Sequence, residues 1–183
     1  MNSIMTIKHD ADKTYNLTKN VVMSTSGEPG DVTNFCEYIL GNVKLYGIRN
    51  YHDLTVDACA KYTRRELAMS LRSRDAYQVN LLVGGFNANT QKPALYCIDY
   101  LASIANIPFA AHGYCSYFSY SVLDRIYHPN MTVEEALNAL AACISELNTR
   151  FIIKHTSYTI KIIDASGISD VSSDDFLKRL TVQ

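Results

Sequence analysis

The strongest pair of residues for chemistry in this sequence is a thiol and an imidazole. Cys97 and His112 are the residue types that a cysteine nucleophile and its general base require. The sequence offers no third residue that would orient the imidazole, so it favours a buried thiol beside a hydrogen-bonded histidine. A free-standing cytosolic enzyme that uses Cys97 and His112 stays open as an alternative.

The remaining cysteines and histidines predict neither a metal site nor a disulfide framework. The chain has five cysteines, an odd number, which are widely spaced and contain no C-x-x-C pair. This usage is typical of reduced thiols in a protein of the cytoplasm or nucleus. We therefore expect localisation in those compartments, with no metal and no cofactor.

Three further groups could do chemistry, and each has a simpler interpretation. Lys13 is isolated in an apolar strand without a nominated partner, so a surface or salt-bridged lysine is expected. Gly84 and Gly85 follow a strand but do not open a helix, which indicates a turn of the chain and not a phosphate loop. Two adjacent acidic pairs cannot face one point, because neighbouring side chains point apart; they are Glu134 with Glu135 and Asp174 with Asp175.

A cluster of basic residues resembles the footprint of a nucleic-acid binder, since closely spaced cations neutralise phosphates. Glu66 and Asp75 lie within the same stretch, and 17 basic against 18 acidic residues leave a net charge of -1. The cluster therefore predicts a solvated face or a protein interface, and no nucleic-acid partner. No apolar run approaches the ~20 residues of a membrane span, so no membrane partner is expected. The basic residues are Lys61, Arg64, Arg65, Arg72 and Arg74.

Hydrophobic periodicity predicts the elements that position these residues. Strands are expected at residues 4–8, 13–17, 21–26, 101–107 and 158–164, with a hairpin centred on 79–83 and 95–101. Helices are expected after an Asp31 cap, over 55–73, over 116–127, and after the capping box Thr132-x-x-Glu135. The last of these helices should bury one apolar stripe, formed by Val133, Ala136, Leu137, Leu140, Ile144 and Leu147.

The order of the elements predicts the fold class. The order is strands, two helices, strands, two helices and a strand. Helix pairs on the outer faces of a two-layer antiparallel sheet fit this order best. The prediction is an α+β fold, a four-layer αββα sandwich. A parallel doubly wound sheet is the alternative, although strands and helices do not alternate one for one. One domain is expected over residues 1–170, followed by a polar C-terminal tail over 171–183.

A series of short motifs covers the chain from about residue 4 to 170. In their order they resemble the β subunits of the eukaryotic proteasome core particle, and among them the type at the fourth ring position, β type-2. The resemblance implies the αββα fold of the N-terminal-nucleophile hydrolases. The motifs are GEPGD at 27–31, FCEYI at 35–39, NVKLY at 42–46, TRRELA at 63–68, LRSR at 71–74, YQVNLL at 77–82, GGF at 84–86, PALY at 93–96, IDYL at 98–101, PFAAHGY at 108–114 and LDR at 123–125.

The resemblance also implies which residues would be catalytic in an active relative. Active members use an N-terminal threonine whose amine is the base, assisted by an Asp and a Lys. Lys13 aligns with that Lys, and Gly27 with the glycine whose N–H polarises the substrate carbonyl. Tyr114, Phe151 and Lys154 stand where active members have a Ser, an Asp and a second Ser. A phenyl ring cannot accept the hydrogen bonds of a carboxylate, and a Tyr cannot replace a small hydroxyl without filling the pocket, so the resemblance predicts no catalytic residue in this chain.

The family normally begins with a β-hairpin of roughly 20 residues before the position of Ile4, a plausible length for two strands and a turn. The positions of the threonine and of the first Asp fall within it. The sequence starts at Met1, so this first β-hairpin is expected to be missing here. A gene start placed at an internal Met or a truncated form would both account for it.

The function implied by the resemblance is structural. A non-catalytic subunit would build the β ring of the complex that degrades ubiquitin-tagged and unfolded proteins. The expected partners are other β subunits in the same and the opposite ring, α-ring subunits and assembly chaperones. The alternative is an active threonine-protease β subunit whose N-terminal strand is missing from this sequence, which an upstream Thr would favour.

Overall fold

The computed structural model describes residues 12–151 and 157–180 of the chain. They fall into two compact units: the larger comprises Lys13–His112 and Ile162–Ser169, and the smaller contains the described parts of Gly113–Lys161 and Asp170–Gln183. Helices and antiparallel strands give the α+β class that the sequence predicts.

The elements follow one another closely along the chain. The larger unit contains β1 (Thr14–Thr18), β2 (Val21–Gly27), α1 (Pro29–Asn50), α2 (Val56–Ser70), β3 (Val79–Asn87), β4 (Lys92–Ile98) and β5 (Ile104–Asn106). The smaller unit contains α3 (Ser116–Ile126), α4 (Val133–Arg150) and α5 (Ser173–Leu180). Two further strands, β6 (Ile160–Asp164) and β7 (Gly167–Val171), pair with each other.

The larger unit is organised by one antiparallel sheet in the order β1-β2-β3-β4-β5. Strands β2 and β3 pair along the whole of β2, from Val21 opposite Gly85 to Gly27 opposite Val79. All four strand pairs of this sheet are antiparallel, so the doubly wound parallel alternative is wrong. The strands predicted at 13–17 and 21–26 and the following hairpin are confirmed, whereas the strand predicted at 4–8 lies outside the described residues.

The core of the larger unit lies between this sheet and helices α1 and α2. Helix α1 packs on β1 and β2, and α2 packs on β3 and β4. Alternate residues of β3 point into the core, as the period of two predicts. The side chains with 0% exposure in this core are those of Met23, Cys36, Ile39, Cys59, Ala60, Leu67, Val79, Leu81, Val83 and Ile98.

Helix α1 begins three residues earlier than predicted, because Glu28 and not Asp31 is its N-cap. The Glu28 carboxylate accepts a hydrogen bond from the Asp31 backbone N–H at 2.9 Å. Pro29 suits the first turn since it has no N–H to satisfy there. The Asp31 carboxylate accepts instead from the Gln78 N–H, also at 2.9 Å, and so joins the start of α1 to the chain entering β3.

Helix α2 carries most of the predicted basic cluster, and parts of that cluster are used within the chain. Thr55 caps the helix by accepting from the Ala58 N–H at 3.3 Å. Lys61 pairs with Asp57 at 2.9 Å, and the Arg64 Nε donates to the Ala102 carbonyl at 3.0 Å. The helix ends at Ser70 and not at residue 73.

In the smaller unit the start of α4 confirms the capping box, but its buried face differs from the predicted stripe. The Thr132 hydroxyl accepts from the Glu135 N–H, and the Glu135 carboxylate accepts from the Thr132 N–H. Val133 is 52% exposed and Leu140 is 42% exposed, whereas Leu137 and Ala141 are buried with Phe176. The face of α4 that α5 covers therefore includes Leu137 and Ala141 but not Val133 and Leu140 of the predicted stripe.

Helix α5 lies within residues 171–183, the segment predicted to be a polar C-terminal tail. Phe176 has 0% exposure and packs on Leu137 and Ala141 of α4. The Arg179 Nη1 donates to the Glu134 carboxylate at 2.7 Å and adds a polar contact between the two helices. A single buried phenyl ring thus anchors a segment whose composition is otherwise polar.

The two adjacent glycines of β3 provide a matched test of this packing. A Cβ atom on Gly85 would lie 2.5 Å from the Asn20 carbonyl oxygen and 2.7 Å from Val56 Cγ2, whereas one on Gly84 would lie 3.5 Å from Leu95 Cδ1. We expect Gly85→Ala to lower the free energy of unfolding by about 1–3 kcal/mol, as overpacking does. Gly84→Ala should be neutral or slightly stabilising. Urea unfolding of the two variants measures the difference, and equal effects would contradict the packing described here.

Candidate functional site

Lys13 and Gly27, the two residues that align with catalytic positions of active relatives, both lie in the larger unit. The backbone carbonyl of Lys13 accepts hydrogen bonds from Thr25, at 3.0 Å from its N–H and 3.2 Å from its hydroxyl. Lys13 therefore continues the β1 pairing with β2, and Gly27 lies two residues beyond Thr25, about 7 Å along the strand. The structure brings the two residues to the same end of neighbouring strands.

The ammonium group of Lys13 is on an exposed side chain. Within residues 12–151 and 157–180, no acidic side chain forms an ion pair with it. A lysine that tunes a nucleophile needs that nucleophile within hydrogen-bond reach. The described residues around Lys13 do not indicate a catalytic role for its charge.

Gly27 has a structural reason to be glycine. A Cβ atom at this position would lie 2.1 Å from the Gln78 carbonyl oxygen and 3.0 Å from the Val79 Cα. The same carbonyl accepts a hydrogen bond from the Glu28 N–H at 3.1 Å, which holds the two backbones together. Only glycine permits this approach, whether or not its N–H ever binds a substrate.

In the smaller unit an aromatic cluster includes Tyr114 and Phe151, which the resemblance places where active relatives have a Ser and an Asp. The rings of Tyr114 and Phe151 stack with centroids 5.9 Å apart at an interplanar angle of 27°. Phe118 packs against Phe151 at 6.2 Å. Phe151 also ends α4, where its N–H donates to the Leu147 carbonyl at 2.8 Å. Lys154, the third predicted substitution, lies outside the described residues.

These aromatic side chains differ in their chemistry from the Ser and Asp that the resemblance predicts for active relatives. A carboxylate accepts hydrogen bonds and carries charge, whereas a phenyl ring offers neither. Stacked rings are stabilised by apolar contact and by their quadrupoles. Phe118 was not among the predicted residues, and only the spacing of one helical turn from Tyr114 could have suggested it.

Cys97 and His112 are brought together within the larger unit. The Cys97 Sγ lies 3.2 Å from the His112 Nε2, and the Leu81 carbonyl oxygen also lies 3.2 Å from that nitrogen. With its proton on Nε2, the ring donates to the Leu81 carbonyl and cannot take a proton from the thiol through the same atom. The predicted hydrogen-bonded imidazole beside a partly buried thiol is therefore confirmed.

The electrostatics of this pair oppose nucleophilic chemistry. Burial raises the pKa of the Cys97 thiol, and the nearby charge of Asp99 raises it further. Burial lowers the pKa of His112, although its hydrogen bond to Leu81 and the charge of Asp99 act in the other direction. Both shifts favour the neutral forms, whereas an activated cysteine requires a thiolate beside an imidazolium.

The described part of the chain offers no other candidate catalytic site. One cavity of about 450 Å³ in the larger unit is lined by residues around the start of α2, such as His52, Asp53 and Thr55, and by none of the candidate residues. Among the described residues, no group of three His, Cys, Asp or Glu side chains could hold a metal ion. In the same residues, no helix is both long and apolar enough to cross a membrane.

Comparison with known proteins decides which family this geometry represents. The sequence profile described as "Proteasome subunit" matches residues 1–163. The chain belongs to the proteasome subunit family. Its predicted αββα fold of the N-terminal-nucleophile hydrolase type is thereby confirmed, and so is its resemblance to the eukaryotic β subunits.

Relatives from fungi and plants are all proteasome β subunits, named type 4 in the fungi and type 2 in the plant. The chain is 46% identical over 169 residues to the probable proteasome subunit beta type-4 of Neurospora crassa, covering 92% of this chain and 83% of that protein. It is 43% identical over 173 residues to proteasome subunit beta type-4 of Saccharomyces cerevisiae, covering 94% and 86%. Proteasome subunit beta type-2-A of Arabidopsis thaliana is 39% identical over 181 residues, covering 99% and 88%. The chain is thus a β subunit of the proteasome core particle.

The state of Cys97 is testable through its reactivity. Because its pKa is raised, the thiolate population should become appreciable only at a pH above that of an ordinary cysteine. We expect slow alkylation of Cys97 by iodoacetamide at pH 7 and a rate that keeps rising beyond pH 9. Peptide mapping by mass spectrometry over a pH series measures this, with free cysteine as the reference. Faster labelling of Cys97 than of free cysteine at pH 7 would revive the nucleophilic alternative.

Proposed function

We propose that this chain is a non-catalytic structural subunit that builds the β ring of the proteasome core particle, at the fourth ring position. The observation that carries the proposal is the stack of Tyr114 on Phe151, with Phe118 beside it. These rings stand where active relatives are expected to have hydroxyl and carboxylate groups. An apolar cluster cannot orient an N-terminal amine or take up its proton.

Two further features support the proposal. Lys13 is exposed and has no ion-pair partner among the described residues. Gly27 is required by the 2.1 Å approach of the Gln78 carbonyl, so its presence does not depend on an oxyanion hole. The fold thus accounts for Gly27 without any reaction.

The second candidate is an active threonine-protease β subunit. The observation in its favour is that Lys13 and Gly27 lie at the same end of β1 and β2, about 7 Å apart along the strand direction. A nucleophile supplied by another segment could complete a catalytic site at this end of β1 and β2. The aromatic cluster of the smaller unit weighs against it.

A structural role implies partners and a location. As a member of a ring, the subunit would contact two different β neighbours, β subunits of the opposite ring and α-ring subunits, and assembly chaperones would guide its insertion. These contacts are heterologous, since each neighbour in a ring presents a different surface. The particle would act in the cytoplasm and nucleus, consistent with five free thiols.

The assembly can be tested by size. The tagged full-length protein, expressed in its own cells, should elute from a size-exclusion column with related but different subunits in a particle of hundreds of kilodaltons. A ring of heterologous contacts requires those neighbours. Recovery only as a monomer would contradict the structural role, and mass spectrometry of the eluted fraction identifies the companions.

The absence of catalysis can be tested at Lys13. We expect Lys13→Ala to leave every peptidase activity of the assembled particle within about threefold of normal, less than ~1 kcal/mol of barrier. Removal of a lysine that tunes an N-terminal nucleophile should cost about 100-fold or more in one activity. Particle yield is compared first, and Lys92→Ala, another exposed lysine, is the matched control. Loss of one activity at normal yield would assign this subunit to the active class.

A further inference from the structure

A second, smaller cavity lies in the larger unit between helices α1 and α2, beside the segment that enters β3. Its volume is about 240 Å³, which is below the ~300–1,000 Å³ of sites that hold drug-sized ligands. The cavity therefore suits a small molecule. Its lining residues are Phe35 and Tyr38 from α1, Glu66, Met69 and Ser70 from α2, and Tyr77 from the segment before β3.

Three of the six lining side chains are aromatic. The rings of Phe35 and Tyr77 have centroids 5.1 Å apart and planes inclined by 50°, so they form two walls that face different directions. Phe35 is 1% exposed and belongs to the core, which fixes the position of these walls. Tyr38 lies about one helical turn beyond Phe35 on α1. Aromatic walls of this kind attract cations, because the face of each ring is negative.

Glu66 adds a negative charge to the aromatic lining. Its Oε2 accepts a hydrogen bond from the Tyr38 hydroxyl at 3.2 Å. Burial, a hydrogen bond with Tyr38 and the charge of Glu66 raise the pKa of Tyr62 to about 12, against a smaller opposite effect of Arg65. These two tyrosines hold the Glu66 carboxylate in place, and Tyr62 keeps its proton at neutral pH.

The Glu66 carboxylate has no cationic partner within the part of the chain that the structure describes. None of the residues that line the cavity is basic. No Lys, Arg or His of residues 12–151 and 157–180 forms an ion pair with Glu66. An acidic group set among aromatic rings thus lacks the positive charge that would complement it.

We infer that this cavity binds a small organic cation with an alkylated nitrogen, such as a quaternary ammonium. The alkyl groups would contact the rings and the Met69 side chain, while the positive charge would be stabilised by the ring faces and by Glu66. Alkylation also lowers the cost of removing the charge from water, because such a nitrogen donates no hydrogen bonds. The inference goes beyond the proposed function and does not depend on whether the subunit is catalytic.

The same features disfavour other occupants of the cavity. An anion would be repelled by Glu66. A neutral apolar molecule would remove the carboxylate from water without offering it a partner, which costs free energy. A helix of another chain is too wide, since a helix with its side chains measures about 10–12 Å across, whereas a sphere of 240 Å³ is about 8 Å across.

Competitive photolabelling of the purified core particle tests the inference. The probe is a choline analogue that carries a photoreactive diazirine, and mass spectrometry locates the labelled residues. We expect labels on this chain beside the cavity, reduced about tenfold or more by excess choline. The neutral isostere 3,3-dimethyl-1-butanol, in which carbon replaces the nitrogen, should leave labelling within about twofold because it lacks the charge. Ethanolamine, whose ammonium carries no methyl groups, should compete less than choline.

Matched variants separate the cavity from the surrounding surface. Glu66→Gln keeps the shape of the side chain, removes its charge and should lower labelling by about tenfold. Glu37→Gln makes the same change at an exposed position of α1 that does not line the cavity, and should have no effect. Tyr77→Leu removes a ring and should also lower labelling, whereas Tyr77→Phe keeps the ring and should not. Labelling is compared at equal particle yield.

Three results would overturn the inference. They are equal competition by choline and its neutral isostere, normal labelling of the Glu66→Gln variant, and a wild-type particle in which this chain is not labelled. The last result would mean that the cavity is closed or filled in the assembled particle. None of the three bears on the proposed structural function, which fails instead if the wild-type chain does not enter particles.

Discussion

The pairing of β2 with β3 is the contact on which the rest of the larger unit depends. Seven residue pairs run from Val21 opposite Gly85 to Gly27 opposite Val79. A glycine closes each end, because a Cβ there would lie 2.5 Å or 2.1 Å from a carbonyl oxygen. This strand pairing forms part of the sheet on which α1 and α2 pack. It also fixes the position of Gly27, whose close approach to the Gln78 carbonyl requires glycine.

Under the proposed structural function, few substitutions are needed to lose the reaction, since the scaffold and the reaction use different residues. In the smaller unit, the rings of Tyr114, Phe118 and Phe151 lie against one another, and the resemblance places Tyr114 and Phe151 where active relatives have polar groups. In the larger unit, burial favours the neutral forms of Cys97 and His112. The molecule has the fold of the N-terminal-nucleophile hydrolases, and polar groups such as Glu28, Asp31 and Thr132 make hydrogen bonds that hold its elements in place.

Periodicity and capping predicted most of the fold, because they are local properties of the sequence. The capping box at Thr132 and the alternation of Val79, Leu81 and Val83 were sufficient for α4 and β3. The buried side of α4 and helix α5 were missed, since both depend on Phe176, a contact more than 30 residues away along the chain. The steric requirement for glycine at position 27 could not be predicted either, because the Gln78 carbonyl is distant in sequence. Motif resemblance, not spacing, indicated the family.

The central claim is that this subunit contributes structure and no nucleophile to the particle. The most direct measurement treats the purified native particle with a peptide that carries an electrophile and bonds covalently to N-terminal threonine nucleophiles. Mass spectrometry then reads the modification of each β subunit separately. The account predicts that other β subunits become labelled while this chain stays unmodified at saturating reagent. Stoichiometric labelling of this chain would contradict it.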